Sequence, residues 1–258
     1  MRALYTAATG MAAQQMRIDN IANNLANVST NGFKKARETF EDLVYQQYSV
    51  GSDNIQNQRP VNLEVGTGTR LVAMQRDFST GDLAYTGNQF DLAIGGRGFF
   101  EVSDMNGNQR YTRAGRFQVN SSGELVTMGG QSLQPNIFIP EDAERVIINE
   151  DGTVQVTFAD EATESTIGQI QLVEFLNPTG LRSVGGNLFQ ATPESGQQQP
   201  MDASDGFVNL QQGFIESSNV DVAEELINMV VAQRAFELTS KAVEASDEML
   251  QTVTHLKR

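Results

Sequence analysis

The chain has 258 residues, no cysteine and a formal net charge of -14, with 39% hydrophobic and 19% charged residues. This composition is typical of a soluble globular protein, and the lack of cysteine excludes disulfide bonds and thiolate chemistry. Residues 61–210 hold most of the acidity, with eight Lys or Arg and nineteen Asp or Glu. No basic stripe is present to neutralise phosphates, so we expect no nucleic-acid partner. No run of about 18 apolar residues is present, so we expect no insertion into a membrane.

The N-terminal region, residues 3–28, has the pattern of an amphipathic helix. Its apolar face, on which we predict an assembly interface, recurs at about seven-residue intervals and consists of Leu4, Met11, Ile18, Ile21, Leu25 and Val28. Asn31 and Gly32 follow, and this pair favours a left-handed cap that ends the helix.

The central region alternates apolar and polar residues and is divided by turn pairs. Spacings of two, as in Phe90, Leu92 and Ile94, indicate strands. The pairs Asn106-Gly107, Ser122-Gly123 and Asp151-Gly152 separate successive strand patterns and predict three hairpins. We therefore expect a central antiparallel β domain.

The C-terminal region, residues 219–256, predicts a second long helix. Ser217, Ser218 and Asn219 offer oxygens for its N-cap, and Glu224 adds negative charge to the first turn. Its apolar face, the second part of the predicted assembly interface, consists of Val222, Leu226, Met229, Phe236, Val243 and Leu250.

These elements predict an α+β fold in which the two terminal helices pair as a coiled-coil-like inner domain. We expect five segments. They are an N-terminal helix region at 1–40, a connector at 41–75, the β domain at 76–190, a return connector at 191–214, and a C-terminal helix region at 215–258.

Catalytic motifs are missing from the sequence. A single histidine excludes an HExxH zinc site, and neither a GxSxG elbow nor a phosphate-binding P-loop is present. Glu161 and Glu164 allow two interpretations, an acid–base pair or a solvated loop. We expect no catalytic residue, no metal and no cofactor.

The two apolar faces favour self-assembly. A pair of isolated helices buries one seam, and each large side chain contributes about 1.5–3 kcal/mol when buried. Ordering the backbone costs about 1–2 kcal/mol per residue. We therefore expect the helices to be marginal in the monomer and to become ordered when neighbouring copies cover them.

Three sequence blocks closely resemble signatures of bacterial flagellar rod and hook proteins. The blocks are NIANNLANVSTNGFK at 20–34, GRGFFEV at 96–102 followed by YTRAGRF at 111–117, and ESSNVDVAEEL from 216 with QRAFE and SKA after it. The positions that carry the motif are Asn23, Asn24, Asn27, Asn31, Gly32, Phe33, Gly98, Phe99, Phe100, Asn219, Glu224 and Arg234.

Within that family, the length and the segment after residues 40–46 are most similar to the distal rod. The resemblance implies a homo-oligomeric helical tube that transmits torque and encloses an export channel. It implies contacts with proximal-rod proteins, hook-side axial proteins and the surrounding basal-body rings. It also implies a location in the rod across the periplasm, export without a cleaved signal peptide, and a stiffening role for residues 46–63.

Three alternatives remain open at this stage. A proximal-rod or hook-type axial subunit is the nearest alternative within the same class. A secreted carbohydrate-binding protein or enzyme built on the β domain is a second reading. A coiled-coil module that forms a small closed oligomer is a third.

Overall fold

The computed structural model describes residues 2–48, 63–104, 106–158, 161–201 and 209–256. These residues form two long α-helices and many short β-strands, which confirms the predicted α+β class. The chain divides into two compact units. The helical unit comprises Met1–Ala26, Ala36–Gln75 and Asp221–Arg258, and the β unit comprises Asn27–Lys35 and Arg76–Val220.

The helical unit contains both helices and two small strand pairs. Its elements are α1 (Arg2–Ala26), β1 (Ala36–Asp42), β2 (Gln46–Tyr48), β3 (Leu63–Val65), β4 (Thr69–Arg76, of which the last residue belongs to the β unit) and α2 (Val222–Leu256). Strand β1 pairs with β4, and β2 pairs antiparallel with β3. The predicted stiffening segment, 46–63, falls largely on residues 49–62, which lie outside the described residues.

Helices α1 and α2 pack against each other in antiparallel orientation. A β-carbon added to Gly10 would lie 3.4 Å from Cγ2 of Thr239. Near the other end, Nδ2 of Asn24 donates to Oε1 of Glu225 at 3.4 Å. From the first contact to the second, the residue number rises in α1 and falls by the same amount in α2, as an antiparallel pair requires. Because α2 has 35 residues and α1 has 25, the last turns of α2 extend beyond the first residue of α1.

The β unit consists of sixteen short strands and one 3₁₀ helix (Pro178–Gly180) among its described residues. The strands are β5 (Leu83–Tyr85), β6 (Leu92–Ile94), β7 (Phe99–Ser103), β8 (Gln109–Thr112), β9 (Phe117–Val119), β10 (Leu125–Thr127), β11 (Ser132–Leu133), β12 (Ala143–Ile148), β13 (Thr153–Phe158), β14 (Glu161–Gln169), β15 (Leu172–Glu174), β16 (Arg182–Gly185), β17 (Leu188–Gln190), β18 (Gln199–Met201), β19 (Leu210–Gln212) and β20 (Phe214–Glu216).

The largest sheet has the order β16-β17-β8-β7-β11-β10-β9, and β15 joins it by pairing with both β7 and β18. Strands β12, β13 and β14 form an antiparallel meander. Strand β6 pairs with β19, and β5 pairs with β20, so the end of the unit returns to its beginning. The three predicted hairpins are confirmed as β7–β8, β9–β10 and β12–β13.

The apolar alternation seen in the sequence fills the interior of the β unit. Val146 and Ile148 in β12, with Val154 and Val156 in β13, point into one core that also contains Phe100. A second cluster consists of Phe99, Tyr111, Val173, Phe175, Leu181 and Phe189. The side chains of Phe99 and Phe100 therefore pack on opposite sides of strand β7, as the two-residue period of a strand requires.

The observed division differs from the five predicted segments at several boundaries. Helix α1 ends at Ala26, and residues 27–35 belong to the β unit. The range 41–75, expected as a connector, contains strands β2 to β4. The range 191–214 contains β18 and β19, so it contributes to sheets as well as returning the chain.

Candidate assembly surface

The contact face of α2 is centred on small and polar residues. Ala232 is fully buried, Glu225 is buried one pair of turns earlier, and Thr239 is half-buried one pair of turns later. Across from them, Ala13 and Ile21 are the buried apolar side chains of α1. Ile21 is thus the one large apolar side chain that is buried among the described residues of the two helices.

The heptad residues predicted for the interface occupy two different environments. Those that are half-buried in the helical unit are Leu4, Met11, Ile18 and Leu25 in α1, and Met229, Phe236 and Val243 in α2. Val222, Leu226 and Leu250 are exposed. These three residues are therefore exceptions to the packing between α1 and α2 in the single chain, and the assembly interface with neighbouring copies stays a prediction.

Helix geometry explains these exceptions. A seven-residue repeat drifts by about 20° per heptad around a straight helix, so the line through Val222 and Leu250 slides across the surface of α2. Val222 and Leu226 lie to one side of the face centred on Ala232. Leu250 lies on that face but beyond the first residue of α1, so no residue of α1 covers it.

Val28 was assigned to the same interface, but it is not part of the helix. It lies in the turns after Ala26 and belongs to the β unit, where it is half-buried. Thr30 and Phe33 close these turns by donating their backbone N–H groups to Asn27 and Thr30. These tight turns end the helix at Ala26, although the apolar pattern continues to Val28.

A second apolar stripe on α2 was missed by the heptad analysis. Ile227, Val231, Leu238 and Met249 are all more than half exposed. At about 100° per residue they cluster about 100–140° around the helix from Ala232. Spacings of four and seven within this set are the signal that reveals a second face, because a helix apolar on more than one side has more than one partner. We call these four residues the outer stripe.

An apolar groove also opens at the start of α1. It has a volume of about 320 Å³ and is lined by Arg2, Tyr5, Thr6, Gln46, Val65, Gly66 and Thr67. Tyr5 and Val65 are exposed at its rim. The helical unit thus presents apolar surface from its strands as well as from α2.

The asparagines of the first motif hold strand β1 against α1. Oδ1 of Asn24 accepts from Ala36 N at 3.0 Å, and its Nδ2 donates to Ala36 O at 3.0 Å. Asn20 donates to the same carbonyl at 2.9 Å. A carboxamide suits this position, because it offers an acceptor and a donor at once to the N–H and C=O groups of one residue. Both asparagines are buried.

Other motif residues cluster inside the β unit. Gly32, Phe33, Gly98, Phe99 and Phe100 are all buried there. Asn31 and Asn27 are half-buried beside them. Asn219 accepts from Lys35 N at 2.8 Å and donates to Asp77 O at 2.8 Å. Asn23, Glu224 and Arg234 are instead exposed on the helices.

Three buried charges form a cluster that the motif analysis did not select. Nζ of Lys34 lies 2.5 Å from Oε1 of Glu216, and Nη1 of Arg113 lies 3.4 Å from Oε2 of the same carboxylate. Burial lowers the pKa of Lys34, while the carboxylate opposes that shift. Burial likewise lowers the pKa of Arg113. All three residues lie within the sequence blocks quoted above, but no local pattern in those blocks marks them as a cluster.

Neither described helix has an apolar stretch long enough to span a membrane. Within the described ranges, no group of three or more acidic or histidine side chains is arranged to hold a metal ion.

Comparisons with known proteins identify the family. The model for flagella basal body rod proteins matches residues 4–34, that for the flagellar hook protein FlgE/F/G D1 domain matches 93–156, and that for the flagellar basal body rod FlgEFG protein C-terminal matches 211–256. A crystal structure of the Helicobacter pylori flagellar hook protein FlgE2 is also similar, at 16% identity over 71% of this chain and 43% of that one. Its TM-score of 0.26 does not establish a common fold.

Several relatives that match this chain over its whole length share one name with each other. The flagellar basal-body rod protein FlgG of Borreliella burgdorferi is 45% identical over 100% of this chain and 99% of its own length. That of Buchnera aphidicola subsp. Schizaphis graminum is 45% identical over 98% of both chains, and that of Caulobacter vibrioides is 41% identical over 100% of both. The chain therefore belongs to the family of the flagellar basal-body rod protein FlgG, and it is a structural protein of the flagellar basal body and not an enzyme.

Proposed function

We propose that the protein is a subunit of the distal rod, where identical copies assemble into a hollow tube that transmits torque from motor to hook and encloses the export channel. As a flagellar rod protein, it assembles with other axial components of the basal body. Proximal-rod proteins on one side, hook-side proteins on the other, and the surrounding rings are the specific partners we propose.

The observation that carries the tubular assembly is the outer stripe of α2. Single exposed apolar residues are common on protein surfaces, but an aligned set on one helix face marks an interaction site. Each large side chain in the stripe gains about 1.5–3 kcal/mol when it is fully buried. A helix of a neighbouring copy is the partner we propose for this face, in a coiled-coil-like arrangement.

The sparse interior of the helical unit supports the same proposal. Ala13, Ile21 and Ala232 are its buried apolar residues in the described helices. Such a seam leaves long helices dependent on additional contacts, since most helical stability in proteins comes from tertiary packing. Neighbouring copies would supply them. We retain the stiffening role of residues 46–63 as part of the proposal.

The test replaces one residue of the outer stripe and observes assembly. Leu238 is 67% exposed, so Leu238→Glu should change the stability of the monomer by no more than about 0.5 kcal/mol. In the assembled tube the new carboxylate would be buried without a partner, which is strongly unfavourable. Electron microscopy of concentrated protein should reveal tubes for the unchanged chain and none for the variant.

A matched control is Gln233→Glu, which adds the same charge to an exposed position of the same helix, about 140° away. It should assemble. If Leu238→Glu assembles normally, the outer stripe is not part of the interface. If the unchanged chain forms no tubes, the proposal of a tube is wrong. Deleting residues 46–63 separates the rod from the hook-type alternative, because a hook-type subunit should give a bent polymer with or without them.

A further inference from the structure

The chain crosses the boundary of the β unit four times, at Asn27, Lys35, Arg76 and Val220. We call the residues of the β unit beside these points the chain exits. Any force that reaches the β unit along the backbone arrives through them. Their arrangement within the unit therefore decides whether it receives that force as one body.

Hydrogen bonds join the chain exit at Lys35 to the chain exit at Val220. Gly32 N donates to Glu216 O at 2.8 Å, and Asn219 N donates to Phe33 O at 3.5 Å. Oδ1 of Asn219 accepts from Lys35 N at 2.8 Å. Two segments nearly two hundred residues apart in sequence thus form one small ladder.

The chain exit at Arg76 is hydrogen-bonded to the same residues. Asp77 N donates to Lys35 O at 2.9 Å, and Nη1 of Arg76 donates to Lys34 O at 2.8 Å. Nδ2 of Asn219 donates to Asp77 O at 2.8 Å. One asparagine side chain therefore bridges the backbones of two other exits.

Buried charges lie at the centre of this group. The Glu216 carboxylate accepts from Lys34 at 2.5 Å, from Gly81 N at 2.9 Å and from Arg113 at 3.4 Å. Lys34 also donates to Ser79 O at 2.6 Å. Lys34, Arg113 and Glu216 are 0%, 3% and 1% exposed. We call these three residues the clasp.

Stability alone is a poor explanation for the clasp. Replacing a buried ion group by apolar residues is often neutral or stabilising, because desolvation of the charges offsets their attraction. Each charge does, however, require its partners in fixed positions, and an ion group can impose one arrangement where apolar packing allows several. The clasp draws one residue from the start, one from the middle and one from the end of the chain.

We infer that Lys34, Arg113 and Glu216 are positioning residues that lock three of the four chain exits of the β unit, those at Lys35, Arg76 and Val220, into one rigid group. In the proposed rod, this group is the point at which the β unit takes up torque from the backbone. The mechanical role rests on the proposed function, whereas the locking of the exits is a property of the single chain.

Hydrogen exchange of the full-length monomer tests the lock. Lys34→Met keeps an unbranched side chain of similar length and leaves Glu216 paired with Arg113. Exchange in residues 27–35, 76–82 and 214–220 should accelerate by about tenfold or more, as for segments that open locally. Strands β7 and β13 should exchange as in the unchanged chain.

The matched control is Val154→Ala, which removes two methyl groups from a fully buried core position in β13. It should accelerate exchange in β12 to β14 and leave the exits unchanged. If both variants give the same pattern, the clasp is ordinary core and the inference is wrong. A variant that spares the buried charges, Asn219→Ala, should loosen residues 35 and 76–82 alone, and it remains informative if Lys34→Met unfolds.

Assembly separates this inference from the proposed function. If the unchanged chain forms no tubes but the exchange pattern is as expected, the rod proposal fails and the lock stands. If tubes form and Lys34→Met tubes are as straight as the unchanged ones by electron microscopy, the mechanical role is refuted. Straight tubes from Val154→Ala and a wide spread of curvature from Lys34→Met would support it.

Discussion

At the scale of single residues, Gly32 is a position with little freedom. Its backbone has φ of +68°, and an added β-carbon would lie 2.7 Å from Ala114 N and 2.8 Å from Arg113 C. Both the left-handed conformation and the close approach of another backbone require glycine. The motif pair Asn31-Gly32 does not end the first helix as the sequence predicted, because the helix stops at Ala26. The pair instead allows the first chain segment of the β unit to lie against the segment that carries Arg113.

We predict that Gly32→Ala destabilises the β unit by about 3 kcal/mol or more, because backbone strain and overlap act together. Gly107→Ala is the matched control, since Gly107 has φ of +76° but nothing within 4 Å of an added β-carbon. It should lose only about 1–2 kcal/mol from strain. Urea unfolding followed by circular dichroism measures both. Equal losses would show that the approach of residues 113 and 114 is not tight.

At the scale of elements, the start of α2 differs from the sequence prediction. We expected Ser217, Ser218 and Asn219 to cap the helix. The helix begins at Val222 instead, and Oδ1 of Asp221 accepts from Ala223 N at 2.8 Å and from Glu224 N at 3.2 Å. Asn219 cannot serve as the cap because its amide is bonded to the β unit.

Asp221→Ala should therefore destabilise the first turn of α2 by about 1 kcal/mol, the usual value for a lost N-cap. Asp221→Asn keeps an acceptor and should behave nearly as the unchanged chain does. Hydrogen exchange of residues 223–226 is the direct measurement. If Ser218→Ala has a larger effect on these amides than Asp221→Ala, the assignment of the cap is wrong.

The helices also mark the limit of what a periodic pattern predicts. Their existence and approximate ends were predictable from apolar spacing and turn residues. The packed face was not, because a seven-residue repeat specifies a line that drifts about 20° per heptad on a straight helix. The buried residue Ala232 is small, so its importance is invisible in a search for large side chains. The packing around Ala232 depends on contacts with α1, and a pattern within α2 alone contains no information about those contacts.

At the scale of the whole molecule, the two units have very different interiors. The main core of the β unit contains sixteen buried apolar side chains, among them Phe100 and Phe117. The described helices bury Ala13, Ile21 and Ala232. Since burial of apolar area is the dominant favourable term in folding, the units should differ widely in stability.

We predict that the monomer unfolds in two steps, with the helical signal lost at lower urea concentration than the β signal. In the assembled tube, the amides of α1 and α2 should become protected from exchange. Circular dichroism resolves the two steps, and hydrogen exchange before and after assembly measures the gain. A single cooperative transition with fully protected helices in the dilute monomer would contradict the dependence of the helices on neighbouring copies.

The β unit was predictable at the level of hairpins but not of topology. Turn pairs such as Asp151-Gly152 specified β12–β13 because the turn and the strand period agree locally. The pairing of β6 with β19 joins residues more than a hundred positions apart, and short strands contain little information about such partners. The clasp was equally hidden, since Lys34 and Glu216 meet only once both ends of the chain have entered the same unit.

The unequal lengths of α1 and α2 have one more consequence. Because α2 continues past the first residue of α1, the helical pair has a blunt end and a projecting end, and Leu250 lies on the projection. Copies stacked in one direction would bring projecting ends to blunt ends throughout. The two tips of such a stack are chemically different, so addition of new copies would have an intrinsic direction, and capping one tip would leave growth at the other unaffected.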